Sequence, residues 1–184
     1  LASALAHRAP GLRHAGCSPA GEISPDGFTE GHAVAILLPR ASFDVATTMI
    51  RRLSASGVDA IAGEVERLKQ QLCADGASMR GGQVFALCFV DGLSYAEEAL
   101  TSAIHWSLDD IPLIGGSAGD DLKFETTALF TENGVDSDCA VIALVSTSLP
   151  FQVFKTENFV PTGDRLVVTA SDPDHRIVRE FNAA

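Results

Sequence analysis

Residues 112–124, PLIGGSAGDDLKF, bring together side chains and backbone that can hold a small charged molecule. Gly115 and Gly116 follow an apolar run, and Gly119 is followed at once by the acidic pair Asp120 and Asp121. Glycine reaches positive φ at little cost and leaves its amide uncovered. Successive exposed N–H groups of that kind form a concavity that takes an anion. On this reading Gly115 permits the turn, the amides of Gly116, Ser117 and Ala118 receive an anionic group, and Asp120 and Asp121 hold a cationic one. Such a pair of subsites suits a zwitterion such as an amino acid. The plainer alternative is a strand-to-loop turn whose aspartates cap their own backbone. GGSAG fits no phosphate-loop pattern and no Lys-Ser/Thr follows, which excludes a Walker-type nucleotide site.

Residues 16–27, GCSPAGEISPDG, repeat the theme: glycines around a small polar pair, Cys17 and Ser18, with a carboxylate at Glu22. Here too a turn, helped by Pro19 and Gly21, is the plain reading. As site residues, Cys17, Ser18 and Glu22 line the same ligand pocket. A rival chemistry makes Cys17 a nucleophile, which needs a base within hydrogen-bond reach and an oxyanion hole. His14 is close in sequence, but an isolated Cys and His form no recognisable triad. The chain is therefore read as a binding protein and not as an enzyme.

Two halves of different character must position these segments. Residues 34–38, VAILL, read as a buried strand ended by Pro39. Phe43, Ala46, Met49, Ile50 and Leu53 recur at three- and four-residue steps and predict an amphipathic helix. A second helix over 59–73 carries Ile61, Val65, Leu68 and Leu72 on one face, with Glu64, Glu66, Arg67 and Lys69 mostly elsewhere. Residues 76–82 read as a loop. Residues 84–90, VFALCFV, follow as a strand apolar enough to be covered on both faces. Ser94 and Glu97 form the S-x-x-E signature of a helix start, and that helix runs to about Ser107. Beyond it, residues 126–131, 139–146, 152–156 and 165–169 read as short strands joined by turns, an antiparallel meander. A last helix is expected to begin at Asp172 or Asp174. Phe151, Phe154 and Phe159 are expected mostly in the core. The fold class is α/β with α+β character: one domain over 1–184, a mixed sheet, strand–helix alternation first and antiparallel strands later.

Composition narrows the partners. With 46% hydrophobic and 20% charged residues, the 184-residue chain has the make-up of an ordinary globular protein. Its formal charge of −11 argues against nucleic acid, whose phosphates call for clustered Lys and Arg. No basic run exists to meet an anionic membrane, and the longest apolar runs fall far short of the roughly 20 residues a spanning helix needs. No signal peptide is read. Cys17, Cys73, Cys88 and Cys139 lack C-x-x-C spacing, which fits reduced thiols in a cytoplasm and no metal site.

The two glycine segments, with residues 150–156 (PFQVFKT), 159–162 (FVPT) and 165–173 (RLVVTASDP), resemble the N-terminal half of the FIST domain, over roughly residues 11–182. The resemblance implies a bacterial, cytoplasmic sensory domain of signal transduction. It would bind a small-molecule ligand, amino acids or related metabolites, and relay to a signalling partner such as a histidine kinase or a cyclic-di-GMP enzyme. It also implies further chain on both sides, so a piece of a longer domain is expected. Some proteins of that family carry haem and sense nitric oxide, which makes haem the competing cofactor. An axial ligand for it is usually His. Helical geometry sets His105 about 180° from Ala96, opposite the apolar stripe, while His7, His14, His32 and His175 lie in loops or near chain ends.

Overall fold

The computed structural model describes residues 2–76, 83–155, 159–173, 175 and 177–183. These divide into two compact units, Leu1–Val153 and Phe154–Ala184. In the first unit a short helix α1 (Ala2–Arg8) precedes strands β1 (Ala15–Cys17), β2 (Glu22–Ser24) and β3 (Gly27–Thr29). The main elements are β4 (Phe43–Arg51), α2 (Val58–Ala74), β5 (Val84–Asp91), α3 (Glu97–Leu108) and β6 (Leu113–Ala118). Then come β7 (Leu129–Thr131), β8 (Gly134–Asp136) and β9 (Cys139–Thr147). The architecture is α/β, with mixed and antiparallel sheets.

The central sheet has the order β4-β9-β5-β6. Its first two pairings are antiparallel, and β5–β6 is parallel. Parallel neighbours need a crossover, which α3 supplies. The apolar stripes of α2 (Ile61, Val65, Leu68, Leu72) and α3 (Leu100, Ala103, Ile104, Leu108) pack onto Ala46, Ile50, Ala86, Cys88, Ala140, Ile142 and Leu144. On the opposite face Met49, Phe89, Cys139 and Val141 meet Leu129, Ala15 and Cys17 from the small sheet β1-β7-β8. Strand β9 is therefore buried at every residue, which explains its unbroken apolar run.

Several expected elements differ. The stretch expected as a helix around Phe43–Leu53 is strand β4, hydrogen-bonded to β9 along nine residue pairs. Its content of Val45, Thr47, Thr48 and Ile50 suits a pleated strand, and the long-range ladder overrides a chance helical spacing. Residues 34–38 form no strand; Val34, Ile36 and Leu37 are exposed. Helix α3 begins at Glu97 with Ala96 as its cap residue and no side-chain capping bond. The Ser94 hydroxyl accepts the Ala96 N–H (3.3 Å) and donates to Asp91 O (2.7 Å). The loop expected over 76–82 lies, beyond Gly76, outside the described residues.

The second unit contains β10 (Val168–Asp172) and β11 (Ile177–Phe181), an antiparallel pair. A strand thus stands where the last helix was expected, and Asp174 lies outside the described residues. The Asp172 carboxylate accepts from His175 Nδ1 at 3.0 Å and Arg179 Nη2 at 3.3 Å, so it organises the turn between the strands. No strand forms over 152–155, and Thr156 lies outside the described residues. Phe151 meets Phe85 in a tilted contact with ring centroids 4.9 Å apart, whereas Phe154 and Phe159 are exposed, against expectation.

Candidate functional site

The two glycine segments, a hundred residues apart in sequence, meet at Ser18. Strand β1 pairs with β7, and Ser18 continues that ladder by donating its N–H to Ala128 O at 2.7 Å. Its carbonyl accepts the Gly119 N–H at 2.9 Å. The Ser18 hydroxyl donates to Gly119 O at 2.7 Å and accepts the Ala128 N–H at 3.0 Å. One side chain therefore fastens the ends of β1 and β6 to the approach to β7. Gly119 is required for this closeness, because a Cβ there would lie 2.8 Å from Ala20 Cβ.

Gly115 and Gly116 do not form the expected turn. Both lie within β6, which pairs with β5 from Leu113 to Ala118, and neither has positive φ. Gly115 is needed for another reason: a Cβ there would run into the Cys88 carbonyl of the neighbouring strand. In an extended strand successive N–H groups point to opposite sides. The amides of Gly116, Ser117 and Ala118 therefore form no anion concavity.

Asp120 organises the loop that follows. Its Oδ1 accepts the Phe124 N–H at 2.9 Å, and its Oδ2 accepts those of Glu125 (2.6 Å) and Thr126 (3.0 Å). These bonds, Glu125 first and Thr126 next, hold its carboxyl below the ordinary 3.8. They also keep Asp121, Leu122 and Phe124 at φ of 57°, 63° and 57°, a left-handed conformation disfavoured for residues with a Cβ. Asp121 pairs with Lys123 at 3.6 Å on the surface.

Between the segments lies a cavity of about 250 Å³. Ser18, Pro19 and Glu22 line it from the first segment; Asp120, Asp121, Lys123 and Glu125 line it from the second. Glu22, at the start of the β2–β3 hairpin, is only 8% exposed, and its Oε2 has no hydrogen-bond partner. A buried acceptor left without a donor costs about 1–3 kcal/mol, and more when charged. Glu22 thus lines the cavity and carries an oxygen with an unmet demand for a donor.

The structure brings Ser18, Glu22, Asp120 and Asp121 together around this cavity. It leaves Cys17, Gly115, Gly116, Ser117 and Ala118 off the lining. Cys17 packs against the core on the far face of the sheet, and burial raises its thiol above the ordinary value. No hydrogen bond joins it to His14, whose Nδ1 faces Leu12 O at 3.0 Å. Residues three apart on an extended chain lie on opposite sides. Lys123, Glu125 and Thr126 also line the cavity; only their nearness to Asp120 in sequence hinted at it.

A second hollow, of about 530 Å³, lies beside the C-terminal end of α3. His105 is exposed at its side, with Asp109 and Asp110 also lining it. Leu108, Ile111, Pro112 and Leu113 line the same hollow beside these carboxylates. His32 and His175 are exposed and face Glu30 O and Asp172. Among the described residues no group of three or more His, Cys, Asp and Glu is placed to hold a metal ion. No helix among them is long and apolar enough to cross a membrane.

The model of the FIST N domain family matches residues 1–184, the whole chain. No curated protein and no solved structure matches it.

Proposed function

The chain belongs to the FIST N domain family, generally a sensory domain in signal transduction, and we propose that it binds an amino acid or related small metabolite in the cavity between residues 18–31 and 120–126. The observation that carries this reading is Glu22, a buried carboxylate that lines that cavity and whose Oε2 lacks a partner. A ligand ammonium supplies three N–H donors and meets that demand. Asp120 serves the ligand indirectly, by shaping the loop that carries Asp121, Lys123 and Glu125.

Signalling follows by population shift. A ligand that contacts both segments favours the arrangement in which they are closed on each other. About 1.4 kcal/mol of differential binding changes such an equilibrium tenfold, so a few polar contacts suffice. The reader of that shift is a signalling protein such as a histidine kinase or a cyclic-di-GMP enzyme. All four cysteines are free thiols, which supports a reducing cytoplasm as its location. A raised thiol is a poor nucleophile, which argues against a catalytic role for Cys17.

The test is a melting-shift screen of the protein against the proteinogenic amino acids and their simple derivatives, repeated with Glu22→Gln. The expected result is a saturable upward shift that the variant loses while folding normally. A shift of equal size in Glu22→Gln would place the ligand elsewhere.

A further inference from the structure

We propose that the ligand class of this cavity is an aliphatic diamine, a dication that carries no carboxylate. The inference rests on the small-ligand reading above and sharpens it. Four carboxylates, Glu22, Asp120, Asp121 and Glu125, line the cavity against one ammonium, Lys123. That ammonium already faces Asp121 at 3.6 Å. Several donors near the cavity that could hold a ligand carboxylate are committed elsewhere. Residues 113–118 form the edge strand β6 and do not line the cavity, so their amides are not placed to meet a ligand there. Those of Phe124, Glu125 and Thr126 go to Asp120, and the Ser18 hydroxyl goes to Gly119 O. A zwitterion would bring its carboxylate into a wall of like charge, which costs binding energy.

The acceptors are graded in depth. Glu22 is buried with an unpartnered oxygen, while Asp121 and Glu125 are exposed. An elongated ligand with an ammonium at each end satisfies both: one end reaches Glu22 and the other stays among the outer carboxylates. The Pro19 ring, which also lines the cavity, offers a methylene spacer an apolar contact. A single metal ion does not suit the wall, since no cluster among the described residues has the needed ligand set.

The discriminating pair is 1,5-diaminopentane and L-lysine, which differ only by the α-carboxylate. Both are titrated calorimetrically into the protein at fixed ionic strength near 0.15 M, where exposed charges are largely screened. The diamine is expected to bind at least about tenfold tighter than lysine. Glu22→Gln is expected to weaken the diamine by a similar factor, and Glu125→Gln, at the exposed end, by a smaller one. Lysine or a neutral amino acid binding as tightly as the diamine would overturn the diamine assignment and leave the small-metabolite reading standing. Diamine affinity unchanged in both variants would overturn it too. If neither the diamine nor any amino acid binds at millimolar concentration, the reading of the cavity as a ligand site falls with it.

Discussion

Replacing Ser18 by Ala removes two hydrogen bonds at once and tests whether one hydroxyl fastens the two segments. The bonds lost are those to Gly119 O (2.7 Å) and from the Ala128 N–H (3.0 Å). Each neutral bond contributes about 0.5–1.5 kcal/mol net, so the pair accounts for about 1–3 kcal/mol. The backbone bonds from Ser18 N–H to Ala128 O and from Gly119 N–H to Ser18 O remain, so the variant is expected to fold and be measurable. For a chain of this length 1 kcal/mol lowers Tm by about 2–4 °C, which puts the drop at roughly 2–12 °C. Urea unfolding is the assay, with an unchanged slope showing that stability and not compactness has moved. Ser102→Ala, exposed on α3, is the control. A Ser18→Ala loss of less than about 0.5 kcal/mol, the scale of an ordinary surface substitution, would refute the fastening role.

Three further outcomes follow from the same geometry. Gly119→Ala places a Cβ 2.8 Å from that of Ala20, and the overpacking is expected to cost about 1–3 kcal/mol in urea unfolding; equal stability would contradict the close approach. The Asp120 carboxyl is held below its ordinary 3.8 in the folded state, chiefly by the Glu125 and Thr126 amides. Its stabilisation is therefore present above that value and is lost as pH falls through the lowered one. Asp120→Asn is accordingly expected to be less stable than the parent at pH near 7, with the gap narrowing below about 4, and a gap constant with pH would show that the charge does not organise the loop. In thiol alkylation near neutral pH, followed by mass spectrometry, the exposed Cys73 should react first and Cys17 more slowly. Cys88 and Cys139, both pushed up to about 12, should react last; Cys17 outpacing Cys73 would restore the nucleophile hypothesis.

The elements that were legible in the sequence are those whose burial is set by their own periodicity. Helix α2 shows its single stripe at Ile61, Val65, Leu68 and Leu72, and β5 and β9 show apolar runs that only a doubly covered strand requires. Strand β4 was not legible, because Phe43, Ala46, Met49, Ile50 and Leu53 mimic helical spacing and the deciding ladder with β9 is formed nearly a hundred residues away. The run at 34–38 shows that apolarity alone does not supply a pairing partner. Gly115 was marked as special for the wrong reason: it admits the neighbouring strand's carbonyl and makes no turn. The composition of the cavity was half visible. Ser18, Glu22, Asp120 and Asp121 stood out as polar groups among glycines, but their meeting depends on the Ser18–Gly119 contact, which no local pattern encodes.

The central claim is that the cavity between the two segments is where a ligand is sensed. The most direct test is an amide NMR titration of the isotopically labelled protein with its tightest-binding small amine or amino acid. The account predicts saturable shifts confined to residues 18–31 and 119–128 and abolished by Glu22→Gln. Shifts centred on residues 101–113, beside His105, and undiminished in that variant would contradict it.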